Sequence, residues 1–179
     1  YLEQILKVCP VGPYRLAGWS FGANVAHAIA ALIQEARAKV ELLAMIDGYP
    51  YAGSPPDAPA VNYMDDEEDL ESVRRLHFNG AGLDEVDDQR AAELATILAH
   101  SKTLAMGHDP FLFDGDILFF GATGHSDIAA LKPAAWQPYI TGAIKAHQSG
   151  VEHHEMMQSE PQSQIGAELR AALAGLDHS

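Results

Sequence analysis

A serine, an acid and a histidine far apart along this chain have the types that acyl transfer requires. Ser20 stands in Gly18-Trp19-Ser20-Phe21-Gly22, a Gly-x-Ser-x-Gly pattern. On a sharp strand-to-helix turn, this pattern presents the serine hydroxyl at the end of a sheet. The helix that follows adds free N–H groups and a favourable dipole for negative charge. The amide N–H of Phe21 is then the first expected oxyanion donor.

A serine hydroxyl is a weak nucleophile without a base. The chain has nine histidines, so the presence of one proves nothing. Order is the better filter, because sites built on this turn run Ser, then acid, then His. Asp47 follows the apolar run Leu42 to Ile46 and is expected at the carboxyl edge of the sheet, on the strand beside the turn. Gly48 follows it, so a helix-cap or turn aspartate is an equal reading. Asp116 competes, but stands before its strand, as do Asp109 and Asp114. His153 and His154 fall between the last strand and the final helix, at the edge that holds Ser20 and Asp47. Position favours both over His125 and His147 and does not separate them.

The elements that must place these residues are legible from periodicity. Tyr1 to Val8 reads as a helix, Tyr14 to Ala17 as a strand, and Gly18 to Gly22 as a tight turn with both glycines allowing close backbone approach. Ala23 to Ala38 reads as a largely buried helix. Val40 to Ile46 and Asp116 to Ala122 read as strands covered on both faces. Ile144 to Val151 is a weaker strand and Gln162 to Leu173 a final helix. Ile128 to Leu131 or Trp136 to Ile140 offers a helix before the last strand. Between them, Pro50 to Pro59 is proline-rich loop. Asp65 to Phe78 and Asp87 to Met106 read as amphipathic helices, the second with Leu94, Ile97 and Leu98 as its apolar stripe. The order is that of half an α/β fold with a helical insertion after its second strand.

Composition narrows the rest. The 179 residues suit one domain, and 47% hydrophobic with 20% charged content implies a packed core. A net charge of −14 disfavours nucleic acid and anionic membrane as partners. The single cysteine, Cys9, excludes an internal disulfide and reads as structural, which is compatible with a reducing, cytoplasmic compartment. No run approaches the roughly 18 apolar residues of a membrane span. The histidines lack the paired spacing of a metal site.

With these positions in hand, the chain resembles the type I thioesterase domains that end nonribosomal peptide synthetases, including that of enterobactin synthase, and their polyketide synthase relatives. The resemblance rests on Gly12-Pro13-Tyr14 leading into Gly18-Trp19-Ser20-Phe21-Gly22-Ala23, on Asp47-Gly48-Tyr49-Pro50, on Trp136-Gln137-Pro138-Tyr139, and on Val151-Glu152-His153-His154-Glu155-Met156-Met157. It implies a partial α/β-hydrolase fold, a mostly parallel sheet with a helical lid insertion. The core would be residues 1–49 and 108–179, and the lid about 50–107. It implies Ser20 as nucleophile, Asp47 as orienting acid and His153 as base. His154 fits the family's His-x-x-Met as well, and the spacing to the final helix favours His153. Met64, Leu76, Phe78, Leu94 and Met106 would line an acyl pocket or pack the lid.

The implied substrate is an acyl or peptidyl thioester on the phosphopantetheine of a carrier domain, with no cofactor bound directly and no metal. Release would be by hydrolysis or macrocyclisation. A stand-alone editing thioesterase, a lipase or esterase, and an inactive interaction module share parts of this pattern. The family's strands before the elbow strand, and the loop that supplies its second oxyanion amide, have no counterpart here. A partial domain of this kind is expected to expose Tyr14 to Ala17 as a sheet edge, to self-associate and to turn over weakly.

Overall fold

The structure is a computed structural model that describes residues 1–50, 88–124 and 133–176. The chain divides into two compact units, Tyr1–Pro50 with Asp109–Ser179, and Tyr51–His108. The first carries α1 (Leu2–Val8), β1 (Tyr14–Trp19), α2 (Phe21–Glu35), β2 (Val40–Ile46), β3 (Ile117–Ala122) and β4 (Ile144–Ser149). Two 3₁₀ helices, Pro133–Tyr139 and His153–Met157, flank β4, and α4 (Ser159–Leu176) ends the described chain. The described part of the second unit is α3 (Asp88–Met106).

The four strands form one sheet in the order β1-β2-β3-β4, and each pair is parallel. This matches the fold class expected from the apolar runs. Both faces of the central strands are covered, which is why their sequences do not alternate. Every residue of β3 is buried. On one face, Tyr14 packs with Ile29 and Ile33 of α2, flanked by Leu2 and Ile5 of α1. On the other, Ala44, Ile46, Leu118, Phe120 and Ala122 pack with Met156 and with Ile165 of α4. β4 is only half-buried, as its mixed sequence foretells.

Several boundaries differ from the sequence expectation. Gly18 and Trp19 belong to β1, and Phe21 and Gly22 already belong to α2. Ser20 alone makes the turn. The segment before β4 is the 3₁₀ helix Pro133–Tyr139, consistent with Pro138 inside it removing an α-helical hydrogen bond. On α3, Leu94, Leu98 and Ser101 are half-buried and Ala105 buried, at i, i+4, i+7 and i+11. Ile97 lies off that line and is 58% exposed, so the expected stripe is displaced; Met106 is 62% exposed. Met64, Leu76, Phe78, His77, His125, the helices expected over 65–78 and 128–131 and the loop beyond residue 50 lie outside the described residues. No described helix is long and apolar enough to cross a membrane.

Candidate active site

Register brings the site together. Trp19 pairs with Ile46, and Ile46 with Phe120. The residues that follow, Ser20 and Asp47, therefore leave adjacent strands at one level of the carboxyl edge. Their amides complete the ladder: Ser20 N–H donates to the Ile46 carbonyl at 2.8 Å, and Asp47 N–H to the Phe120 carbonyl at 2.7 Å.

Ser20 has φ 55° and ψ −127°. A non-glycine residue in that region is uncommon and strained, and such strain concentrates at functional sites. Close packing enforces it. A Cβ on Gly18 would sit 2.0 Å from the Gly22 carbonyl oxygen, and one on Gly48 would sit 2.4 Å from the Ser20 carbonyl oxygen. Gly22 is different. A Cβ there meets no described atom within 4 Å, so only the first glycine of the motif carries the close approach expected of both. Phe21 opens α2, and the first amides of a helix have no partner within it.

Asp47 is 1% exposed, with φ 47°, a conformation aspartate tolerates better than most residues. Its Oδ2 accepts from Nδ1–H of His153 at 2.6 Å. Its Oδ1 accepts from the Tyr49 hydroxyl at 2.5 Å and from the Ala122 amide at 2.8 Å. With the Nδ1 proton directed at Asp47, Nε2 of His153 is left to accept the Ser20 hydroxyl, 3.0 Å away. The three side chains thus form one hydrogen-bonded chain from a buried carboxylate to a half-buried hydroxyl.

His153 opens a short 3₁₀ helix rather than lying in an extended loop. Glu152 caps it: the Glu152 side chain accepts from the Glu155 amide, while the Glu152 amide donates to Oε2 of Glu155 at 2.9 Å. Residues i and i+3 eclipse in this helix type. His153 therefore shares a side with Met156, which is 1% exposed in the core. That packing separates His153 from His154, for which no hydrogen bond to Asp47 or Ser20 occurs.

The competing acids sit elsewhere. Asp116 accepts the Ala143 amide at 2.7 Å, and Asp114 accepts the Thr141 hydroxyl, both at the amino end of β3. His147 stacks on Phe120 and lies 3.5 Å from Glu168. Cys9 is exposed, with its thiol directed at the Val11 carbonyl. Among the described residues, no three His, Cys, Asp or Glu gather as a metal site would require.

Spacing did not reveal three supporting residues. Tyr49 braces Asp47. Trp136, wholly buried, donates its Nε1–H to the Gly48 carbonyl at 2.8 Å and so holds the turn that carries Asp47. Trp19 stacks on the His153 ring. Trp136 and Tyr49 lie in segments that carried the family resemblance, but neither contact follows from the pattern itself.

The family model described as Thioesterase domain matches residues 1–172. The chain is 31% identical over 199 residues to a dimodular nonribosomal peptide synthase of Bacillus subtilis (strain 168), covering 99% of this chain and 8% of that one. It is 34% identical over 178 residues to malpibaldin synthetase of Mortierella alpina, covering 97% of this chain and 3% of that one. The chain therefore spans a small fraction of the relatives it matches. Among solved structures, the surfactin thioesterase domain SrfTE superposes with a TM-score of 0.70 at 23% identity, over 95% of this chain and 72% of that one. The chain belongs to the thioesterase-domain family, hydrolases built on the α/β-hydrolase fold.

Proposed function

We propose that this chain is a serine thioesterase that takes an acyl or peptidyl group from a carrier domain's phosphopantetheine thiol and releases it through an ester on Ser20. The observation that carries this reading is the hydrogen-bonded chain from Asp47 through His153 to Ser20. Ser20 Oγ attacks the thioester carbonyl carbon as Nε2 of His153 takes its proton. Asp47 keeps the other ring nitrogen protonated and stabilises the imidazolium. The Phe21 amide donates to the oxyanion that develops. As the tetrahedral species collapses, the carbon–sulfur bond breaks and His153 returns the proton to the departing thiol. Water, or a nucleophile within the peptide, then attacks the acyl-serine with the same histidine as base. Carrier-borne delivery is supported by the relatives, which are long synthetases.

The test uses the chain with an acyl thioester of pantetheine and with an acyl carrier domain, followed by mass spectrometry. A transient mass increase equal to the acyl group is expected on the peptide containing Ser20, along with free acid or cyclised product. Ser20→Ala should abolish both, as well as labelling by a fluorophosphonate. Turnover that survives Ser20→Ala would refute the reading. A labelled Ser20 with no thioester turnover would point to an esterase, and absence of both to an inactive module.

A further inference from the structure

Trp19 stands immediately before Ser20, and β1 alternates. Tyr14 and Leu16 pack toward α2, while Trp19 packs on the opposite face with the core that includes Ile46 and Met156. That is the face from which the His153–Met157 helix rises. The indole lies against the His153 imidazole with ring centroids 5.3 Å apart and planes 21° apart. Its Nε1 is buried without a hydrogen-bond partner among the described residues. Buried indoles usually satisfy this group.

The contact supplies a restraint that the hydrogen bonds do not. Asp47 and Ser20 hold the two ring nitrogens, which fixes the line through them. Neither sets the tilt of the ring plane about that line, which rests on the Cβ–Cγ bond and on what packs against the ring. A flat aromatic face there narrows the tilt further. It also offers its negative π-face to the imidazolium that forms when Ser20 gives up its proton. The neutral ring of the resting site gains less from that attraction, so the interaction favours the transition state over the ground state.

We propose that Trp19 is a positioning residue for acyl transfer, its indole fixing the plane of His153 and attracting the imidazolium. The proposal rests on the reading of Ser20 as nucleophile. A residue that merely fills space would be replaceable by any apolar side chain. Trp19→Phe keeps an aromatic face, whereas Trp19→Leu keeps apolar bulk alone. With an acyl thioester of pantetheine, kcat is expected to fall on the order of tenfold in Trp19→Leu and by no more than about threefold in Trp19→Phe. KM should be unchanged in both, because the indole acts after binding.

Proton NMR of the unsubstituted chain gives an independent readout. The His153 ring protons, assigned by their loss in His153→Gln, should lie upfield through the indole ring current. They should return downfield in Trp19→Leu. Ordinary positions for those protons in the unsubstituted chain would overturn the proposal, whether or not either variant folds. So would wild-type kcat in Trp19→Leu, or equal losses in both variants. Turnover surviving Ser20→Ala would instead remove the nucleophile reading on which the proposal stands, with the upfield resonances still in place.

Discussion

Alanine at Gly18 should damage this site, whereas alanine at Gly22 should leave it intact. A Cβ on Gly18 would lie 2.0 Å from the Gly22 carbonyl oxygen, 2.3 Å from its carbon and 2.7 Å from the Ala23 nitrogen. All three are backbone atoms and cannot rotate away. Relief requires β1 and α2 to separate by about 1 Å, an overpacking whose cost is about 1–3 kcal/mol or more. At about 2–4 °C per kcal/mol for a chain of this size, the melting temperature should fall by roughly 2–12 °C. The same separation moves Ser20 Oγ away from Nε2, and a displacement of about 1 Å costs on the order of 10²-fold in rate. Gly22 is helical and its Cβ would meet no described atom within 4 Å. Alanine there restricts the unfolded chain and should stabilise by about 0.4–1 kcal/mol, or roughly 1–4 °C. Calorimetry and initial rates on an acyl thioester measure both effects. A Gly18→Ala protein that melts and turns over like the wild type would refute the steric reasoning. So would a Gly22→Ala protein less stable than Gly18→Ala.

Two further outcomes follow from other contacts. Tyr49→Phe removes the hydroxyl from Oδ1 of buried Asp47, which also accepts the Ala122 amide. A hydrogen bond to a charged group contributes about 1.5–3 kcal/mol, so a lower melting temperature and slower turnover are expected; wild-type behaviour in both would exclude the bracing role. Glu41 on β2 is held below its ordinary value of 4.5, first by a hydrogen bond from Lys39 and further by Arg15. Its contribution is therefore complete above that ordinary value and lost as pH falls through the lowered one. The small stability gap between wild type and Glu41→Gln should be widest near neutrality and close in acid. A gap that stays constant across that range in thermal melts would rule this out.

The parts legible in the sequence were those that physics writes locally. Val40 to Ile46 and Ile117 to Phe120 announce covered parallel strands because both faces need apolar side chains. Ser20 marks its turn through the residues on either side. Asp47 could be assigned to the right edge because it closes an apolar run, while its alternative, Asp116, precedes one. The remainder depends on contacts between segments distant in the chain. Trp136 reaches the Gly48 carbonyl across 88 positions. In the string Glu152-His153-His154-Glu155 only the spacing to the final helix favours His153; the 3₁₀ winding separates the two by placing one on the side of Met156. Gly18 and Gly22 are equivalent in the motif, yet a Cβ on one would meet backbone and a Cβ on the other no described atom. Ile97 falls off the α3 stripe because three steps turn it away from the line through Leu94, Leu98 and Ala105.

The matched rungs of β1 and β2 have a consequence for control of this site. Ser20 and Asp47 emerge from neighbouring strands, so the distance between their backbones is the ordinary inter-strand repeat of about 4.8 Å. Changing that distance means tearing the ladder itself. The imidazole rides instead on five residues of 3₁₀ helix, closed by a capping box and anchored in the core by Met156. Displacing that one short turn would withdraw His153 from Ser20 with the strands still paired, but only by drawing Met156 out of the core.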